Sequence, residues 1–187
     1  MNSSDEEIVT QVLAGEKELY AVLVDRYQRP VYNLMFRYTR NSEEAADLTQ
    51  DAFFQAFDRL RTFDTEKRFF PWLYRLAVNL AGDWARKRSL RWSRHHIVRQ
   101  TAVETVPAGQ HDQIELRDEL RQVERALLEL SPQTREILIL RYRHSQSVRE
   151  VAEAFGLGES AVKMRIKRGL ESLRSIIGEE RGGSERE

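Results

Sequence analysis

The chain has 187 residues, of which 41% are hydrophobic and 32% are charged, and its 30 basic and 30 acidic residues give a formal net charge of zero. This length allows one medium-sized domain or two small ones. The absence of cysteine excludes a disulfide framework and a thiolate metal site, and the four histidines are not spaced with carboxylates as metal ligands are. No stretch approaches the ~20 apolar residues of a membrane span, and the acidic N-terminus lacks the layout of a signal peptide. We therefore expect a cytoplasmic protein with no direct membrane insertion, no metal and no other cofactor.

Helical periodicity runs through the N-terminal half of the chain. Apolar residues recur at helical spacing over 8–27 and again over 31–38, and Pro30 suits the first turn of the second of these helices. The residues at 41–44 provide an N-cap and first-turn acids for a third helix. Residues 61–68 show no period and are interpreted as a loop, and a fourth helix follows them.

The helical pattern fails over 91–112, where polar residues, proline and glycine dominate, and this segment is predicted to be a flexible linker. Periodicity then returns, and Ser131 followed by proline has the pattern of an N-cap. Residues 179–187 are predicted to be a disordered tail. The predicted fold class is all-α, with an N-terminal helical bundle at 1–90 and a C-terminal helix-turn-helix domain at 113–178.

The neutral total conceals a strong segregation of charge along the chain. Residues 64–99 carry nine basic and three acidic side chains, and residues 137–178 carry eight and four. The segment between them, 100–136, carries four basic and eight acidic side chains. Two basic zones predict two contacts with a polyanion, because the local field rather than the total charge attracts phosphate. The alternative is that long solvated helices alternate in charge.

The second basic zone has helix-turn-helix spacing, SVREVAEAFGLGESAVKMRIKRGL at 147–170. Ser147 and Glu150 have the spacing of a capping box, Gly156 can end the first helix, and Ser160 can cap the second. The second helix would present its early turns to the major groove, where arginine can bind guanine O6 and N7 together. Its outer face carries Lys163, Arg165, Lys167 and Arg168. The alternative is a plain helical hairpin with a solvated basic face.

Aromatic residues crowd the start of the first basic zone, in the stretch FFPWLYRLAVNLAGDWARKR at 69–88. Trp72 keeps the helical spacing of the apolar residues that follow it, which favours a place in the core. Phe69, Phe70 and Tyr74 adjoin the aperiodic loop, and an aromatic ring beside a basic groove can stack on an unpaired base. We therefore expect the loop and the two phenylalanines to form a pocket for a base extruded from the duplex.

Three motifs in this order resemble the bacterial sigma factors of the extracytoplasmic-function (ECF) group. They are DLTQDAFFQAF (47–57), TFDTEKRFFPWLYRLAVNLAGDWARKR (62–88) and GESAVKMRIKRGLESL (158–173). The resemblance covers about residues 8–90 and 113–177. It implies a protein that binds core RNA polymerase, directs it to promoters and helps to open the duplex. The N-terminal domain would be sigma region 2, which contacts the −10 element, and the C-terminal domain would be sigma region 4, which contacts the −35 element.

The resemblance also implies residue roles. The −35 contacts would be Ser160, Lys163, Met164, Arg165, Lys167 and Arg168, of which Arg168 matches an arginine that reads guanine. The −10 contacts would be Phe63, Lys67, Arg68, Phe69, Phe70, Tyr74, Arg75, Asn79, Asp83, Arg86, Lys87 and Arg88. Contacts with core polymerase would come from Asp47, Gln50, Asp51 and Gln55, although Asp47 and Asp51 would also fit a solvated helix face.

The implied partners are core RNA polymerase (the β′ clamp helices and the β flap), promoter DNA and an anti-sigma factor. No catalytic constellation stands out, so the chain is expected not to be an enzyme, and captured bases would drive duplex opening. Two other interpretations stay open. A DNA-binding regulator with a sensing or dimerising N-terminal domain would bind a palindromic site without polymerase. A protein whose N-terminal domain only binds other proteins would tolerate leucine at Phe69 and Phe70.

Overall fold

In the computed structural model, the described residues are 3–92 and 122–184. The chain divides into two compact units, 1–103 and 104–187. Both units are built from helices throughout their described residues, which confirms the predicted all-α class. All but the first two residues of the predicted linker at 91–112 lie outside the described residues, and those two belong to the last helix of the N-terminal unit.

The N-terminal unit opens with a short helix that ends at a glycine. Helix α1 spans Asp5–Ala14 and begins with a capping box, in which Ser4 and Glu7 exchange hydrogen bonds of 2.9 and 3.1 Å between side chain and main chain. It ends at Gly15, whose φ of 121° is a conformation that residues with a Cβ rarely adopt. A 3₁₀ turn at Lys17–Leu19 follows and leads directly into the next helix.

Helix α2 spans Tyr20–Thr39, so the predicted start of a new helix at Pro30 is wrong. Pro30 lies inside α2, where it removes one main-chain hydrogen bond. The helix continues through it because residues on both sides of the proline, such as Leu23 and Leu34, are fully buried in the core. The interruption between the first two helices lies instead at Gly15, where α1 ends.

The third and fourth helices follow the predicted order. Helix α3 spans Ser42–Asp58, and the Asn41 side chain caps it by accepting a 2.9 Å hydrogen bond from the Glu44 main-chain N–H. A 3₁₀ turn at Leu60–Thr62 and a short irregular loop then lead to α4, which spans Phe69–Trp92. The predicted loop at 61–68 is thus correct apart from its first two residues.

The core of the N-terminal unit lies where α2, α3 and α4 pack on one another, with α1 against the start of α4 and the preceding 3₁₀ turn. Its largest fully buried side chains are Leu23, Leu34, Met35, Leu60, Phe69, Leu73 and Tyr74. Two of these are aromatic residues from the first turns of α4, so the start of that helix is fixed by the core. This arrangement leaves the opposite side of α4 to the solvent.

The described part of the C-terminal unit begins with a helical stretch at 122–129, α5. Helix α6 spans Pro132–Leu138, and Ser131 is its N-cap, as the sequence predicts, with the Thr134 main-chain N–H donating to Ser131 Oγ over 3.4 Å. A π-helical turn at Ile139–Arg143 continues α6. Helix α7 follows at Val148–Phe155.

Helix α8 spans Glu159–Ser184 and is the longest helix among the described residues. The prediction of a disordered tail at 179–187 disagrees with this helix as far as residue 184, and the last three residues lie outside the described part of the chain. The core of the C-terminal unit is formed where α6, the π-helical turn, α7 and α8 meet. Its buried apolar residues include Ile137, Leu138, Leu140, Val151, Phe155, Val162 and Ile166.

A buried ion pair also lies in the core of the C-terminal unit. The side chains of Arg135 and Glu136 are 7% and 0% exposed, and Arg135 Nε lies 3.1 Å from Glu136 Oε1. Charged residues are almost never fully buried unless they are paired. Sequence patterns did not indicate this pair, because adjacent opposite charges on a helix usually lie in solvent.

Gly169 of α8 allows that helix to approach α6 closely. A Cβ at this position would lie 2.8 Å from Thr134 Cγ2 and 3.0 Å from Leu138 Cδ1. We expect Gly169→Ala to destabilise the C-terminal unit by ~1–3 kcal/mol, because the neighbouring side chains must shift to admit the methyl group. Thermal and urea unfolding of the full chain measures the change.

The matched control is Gly178→Ala, which adds the same methyl group to the same helix. No atom lies within 4 Å of a Cβ at that position. This substitution is expected to stabilise the helix by ~0.5–1 kcal/mol, because alanine loses less conformational freedom than glycine. Equal effects at the two positions would contradict the close approach of α8 and α6.

No helix in the described ranges, 3–92 and 122–184, is both long enough and apolar enough to cross a membrane.

Candidate nucleic-acid interface

One exposed face of α4 carries several of the predicted −10 residues. Arg75, Asn79, Asp83 and Arg86 follow one another at intervals of three or four residues, so they lie on the same side of the helix. Arg75 is half-buried and the other three are exposed. The guanidinium of Arg86 donates a hydrogen bond to the Asp83 carboxylate. This ion pair offsets the negative charge of Asp83, and the exposed Lys87 beside it adds a further cation to the surface.

Arg88, another predicted −10 contact, lies on the other side of α4 from Arg86. Its guanidinium donates hydrogen bonds of 2.8 and 3.1 Å to the two carboxylate oxygens of Glu44 on α3. It also lies over the Trp84 ring, 4.9 Å from the centroid. Two residues along a helix correspond to a rotation of about 200°, which is why consecutive cations cannot all share one face.

The predicted aromatic pocket is wrong, because the rings lie in the core. Phe69 and Tyr74 are 0% exposed, and Phe63 and Phe70 are 7% exposed. The ring of Phe70 stacks on that of Tyr27 at a centroid distance of 4.6 Å, and Phe63 packs edge-on against Phe69 at 5.7 Å.

The Tyr74 hydroxyl is also occupied, since it accepts a 2.9 Å hydrogen bond from Arg37. Trp72 is half-buried and contacts Phe63 and Phe69, which agrees with its expected place in the core. None of the four buried rings in this region therefore offers a free face to a base in this structure.

The residues between the buried rings form a short exposed loop, which we call the 64–68 loop. Asp64 opens it with a turn, in which the Lys67 N–H donates to the Asp64 carbonyl over 2.9 Å. The two predicted cations of the loop, Lys67 and Arg68, are both exposed. Lys67 Nζ lies 3.4 Å from the Asp64 carboxylate, and Arg68 Nη1 lies 3.9 Å from Glu6 of α1. The loop thus places two exposed cations beside α4.

The predicted polymerase contacts lie on the outer side of α3. Asp47, Gln50 and Asp51 are exposed, and Gln55 is half-buried. Gln50 faces a groove of about 1050 Å³ between α2 and α3, whereas the other three are not among the groove's lining residues. The four residues therefore divide between the groove and the neighbouring helix face.

Sequence reasoning missed Phe54, which is 61% exposed and lines the same groove together with Tyr20, Val24 and Phe57. Helical spacing could have identified it. Phe53 is only 6% exposed on the core side of α3, and Phe54 is rotated by about 100° from it. An exposed aromatic ring in an apolar groove is typical of a protein-binding surface.

The helix-turn-helix geometry is as predicted except for one cap. Ser147 and Glu150 form the capping box, with hydrogen bonds of 2.7 and 3.1 Å. Gly156 ends α7 in the left-handed conformation, with φ 62°. Ser160, however, lies within the first turn of α8 rather than at its cap, because the helix begins at Glu159. The Gly158 carbonyl accepts the first helical hydrogen bond, from the Val162 N–H at 3.1 Å.

Five of the six predicted −35 residues share one exposed face of α8, which we call the α8 face. It consists of Ser160, Lys163, Met164, Lys167 and Arg168, all exposed and spaced as neighbours along one side of the helix. Lys163 and Lys167 each lie 3.9 Å from a glutamate one turn away, and ion pairs of this exposed kind are weak. Their ammonium groups can therefore exchange the glutamate for a phosphate.

Arg165, the sixth predicted residue, is turned away from this face. It is half-buried, and its guanidinium donates a hydrogen bond to the Gln133 side chain on α6. Around the helix axis, Arg165 is rotated by about 60° from Arg168 and by about 160° from Lys163. It therefore lies at the border of the buried side of α8. Arg165 is thus held by its own unit, whereas the other cations are directed outward.

Comparison with known proteins agrees with this arrangement. Residues 23–91 match the family model for sigma-70 region 2, and residues 120–173 match the model for sigma-70 region 4. The ECF RNA polymerase sigma factor SigW of Bacillus subtilis is 31% identical over 179 residues, which cover 90% of this chain and 94% of SigW.

Two solved structures share the fold. The structure of CnrH in complex with the cytosolic domain of CnrY has a TM-score of 0.68 at 23% identity and covers 94% of this chain and 98% of CnrH. The sigma factor RpoE of Bartonella quintana, in complex with the anti-sigma factor NepR, has a TM-score of 0.67 at 20% identity and covers 85% of this chain and 96% of RpoE. The two matched regions and the similarity to SigW establish that the chain belongs to the ECF group of sigma-70-type RNA polymerase sigma factors.

Proposed function

We propose that the chain directs core RNA polymerase to promoters by binding one stretch of DNA at two places, with the α8 face on the −35 element and the exposed face of α4 on the −10 element. The observation that carries this proposal is the α8 face, which presents three cations, a serine and a methionine outward directly after a helix-turn-helix turn. A recognition helix needs this combination of phosphate-binding and base-reading side chains. Sigma factors are initiation factors rather than enzymes, and the polymerase carries out the chemistry.

In the −35 contact, Arg168 is the residue we assign to base reading. Its guanidinium can donate two hydrogen bonds to guanine in the major groove. Lys163 and Lys167 lie on the same face and are assigned to phosphates, which position the helix without reading sequence. Met164 is 48% exposed on the face, where an apolar side chain can contact a thymine methyl group.

In the −10 contact, we assign the upstream duplex to Arg75, Asn79, Arg86 and Lys87 on α4. The extruded base is assigned to the 64–68 loop, all five residues of which are exposed, including the cations Lys67 and Arg68. Hydrogen bonds from such a loop can return the few kcal/mol that extrusion costs. The buried rings of Phe63 and Phe69 support the loop from inside and do not stack on DNA. Captured bases, rather than nucleotide hydrolysis, would hold the duplex open.

The polymerase contact is assigned to α2 and α3, with the β′ clamp helices in the groove that Phe54 lines. Asp47, Asp51 and Gln55 then form the polar margin beside it, and Gln50 lies within it. An apolar centre with a polar margin is the usual composition of a protein interface. The C-terminal unit would meet the β flap, an assignment that follows from the family resemblance alone.

Phe54→Ser is expected to weaken binding to core polymerase by at least tenfold, because large exposed aromatic residues at interface centres account for more than ~2 kcal/mol. The substitution removes little packing, since Phe54 is 61% exposed. Fluorescence titration of labelled chain with core polymerase measures the affinity.

Leu13→Ser is the matched control, because Leu13 is 43% exposed in the same unit and does not line the groove. Its affinity for core polymerase is expected to equal that of the wild type. If Phe54→Ser bound core polymerase as tightly as the wild type, the assignment of the groove would have to be abandoned.

An anti-sigma factor is the second proposed protein partner. The sigma factor RpoE, which shares the fold of this chain, was solved in complex with the anti-sigma factor NepR. We place the chain in the bacterial cytoplasm, where it would meet the polymerase, and we assign its promoters to a stress or envelope response. A partner that covers the Phe54 groove would hold the chain inactive by competing with the polymerase.

Run-off transcription tests the proposed function directly. Core polymerase with the chain is expected to start transcription at defined sites on genomic promoter fragments, and mapping of the start sites should reveal two elements spaced about two helical turns apart. Core polymerase alone is the control. Tight binding to a palindromic site without polymerase, combined with no stimulation of transcription, would instead identify an ordinary DNA-binding regulator.

A further inference from the structure

The acidic first turn of α1 reaches the start of α4, although the two are far apart in sequence. Glu6 Oε1 accepts a 3.2 Å hydrogen bond from the main-chain N–H of Phe69, the first residue of α4. Its second oxygen, Oε2, lies 3.9 Å from Arg68 Nη1. Glu6 therefore supplies the capping acceptor that the residues just before α4, Lys67 and Arg68, cannot provide.

A second acidic residue holds α1 in the position that this contact requires. Asp5 accepts a 2.7 Å hydrogen bond from Arg26 Nη1 and another from the Tyr27 hydroxyl, both on α2. Burial and the hydrogen bond with Asp5 raise the pKa of Tyr27, so its hydroxyl keeps the proton that it donates. The Tyr27 ring in turn stacks on Phe70 of α4. The first turn of α1 is thus tied to both α2 and α4.

These contacts determine how the 64–68 loop is held. At one end of the loop, the buried ring of Phe63 packs against Phe69. At the other end, Glu6 binds both the last residue of the loop, Arg68, and the first amide of α4. Only five residues, 64–68, lie between the buried Phe63 and Phe69, and all five are exposed. A loop this short has few conformations once both ends are fixed, and the contacts of Glu6 are among those that select its conformation.

We propose that Glu6 is a positioning residue for the reading of the −10 element. Its carboxylate sets the conformation of the 64–68 loop by capping α4 and by orienting Arg68, while Glu6 itself does not contact DNA. The side chain of Glu6 is 20% exposed, in agreement with a supporting role beneath the loop. This proposal rests on the proposed function, because it concerns the loop to which the extruded base is assigned.

The test measures base preference with the full chain bound to core polymerase. Open-complex formation is followed on promoters that carry each of the four bases at each −10 position and, separately, at each −35 position. Glu6→Ala removes both contacts, and Glu6→Gln keeps a neutral acceptor for the Phe69 N–H but loses the charge that faces Arg68. The matched control is Glu7→Gln, which removes one charge at the next position and retains the capping-box acceptor for Ser4.

Glu6→Ala is expected to reduce the preference for the best base at one or two −10 positions by about fivefold, the factor that corresponds to the ~1 kcal/mol of stability that a helix cap typically contributes. Preferences at the −35 element should not change, and Glu6→Gln should show a smaller reduction at the same positions. Glu7→Gln should match the wild type at every position.

Two results would overturn the proposal. One is a lowered melting temperature with unchanged −10 preferences, and the other is an equal loss on all promoter variants, since both indicate a purely structural role. If circular dichroism shows that Glu6→Ala is unfolded at the assay temperature, the same two criteria are applied to the base preferences of Glu6→Gln. Failure of the wild-type chain to support any initiation would refute the proposed function itself and is recognised before any variant is compared.

Discussion

Phe69→Ala is expected to destabilise the N-terminal unit by ~3–5 kcal/mol, because it removes a fully buried ring and leaves a cavity. Domains of this size have a total unfolding free energy of about 5–15 kcal/mol, so this single change removes a large part of it. Urea unfolding followed by far-ultraviolet circular dichroism measures the effect. Promoter opening by this variant should fall in proportion to its unfolded fraction.

Phe69→Leu separates a core role from a stacking role. Leucine fills most of the same space, so the loss of stability should be only about 1 kcal/mol, and the folded variant should open promoters at the wild-type rate. A ring that stacked on a base could not be replaced in this way, since leucine has no aromatic face. A folded Phe69→Leu chain that opened promoters tenfold more slowly would therefore contradict the buried role assigned to this residue.

Arg168→Ala is expected to weaken binding to the preferred −35 sequence by ~1–3 kcal/mol and to relax selection at one base position. The reason is geometric, because Arg168 is exposed on the α8 face and can bind guanine with two hydrogen bonds. The measurement is the affinity of the polymerase complex for −35 variants with each base at each position. An equal loss on all −35 sequences would mean that Arg168 contacts only phosphate.

Arg165→Ala provides a control with the same change of charge, three residues away on the same helix. Because Arg165 donates to Gln133 on α6, its removal should lower stability slightly and leave base selection unaltered. Relaxed selection in Arg165→Ala would show that the side chain leaves Gln133 when DNA binds, and the α8 face would then need to include it.

Local patterns were sufficient for much of the fold. The capping box at Ser147, the left-handed Gly156 and the caps at Asn41 and Ser131 are all found where the sequence predicts them. Each of these features depends on hydrogen bonds between residues less than five positions apart. The periodicity of apolar residues likewise identified both helical units, because a helix that is buried along one side repeats its apolar residues every three or four positions.

The errors arose where distant segments meet. Phe69 and Phe70 adjoin an irregular loop in the sequence, but Tyr27 of α2 and Glu6 of α1 cover them in the folded chain. Pro30 has the pattern of a helix start, yet packing on both sides keeps α2 continuous.

The basic runs show the same limit at the level of single side chains. Arg88 and Arg165 belong to clusters of cations in the sequence, yet each binds a residue of another helix and leaves the exposed face. The distribution of charge along the sequence identified the two basic zones. Which of their cations belong to an exposed face depends on the rotation of each residue about its helix axis.

The buried pair of Arg135 and Glu136 constrains how the sequence of the C-terminal unit can vary over evolutionary time. Replacing either residue alone separates a fully buried charge from its neighbour, a change that typically costs ~3–5 kcal/mol. Replacing both with apolar residues of similar volume is often neutral or even stabilising. The two positions are therefore coupled by epistasis, and lineages that exchange this pair for an apolar one must cross a poorly folded intermediate or change both codons nearly together.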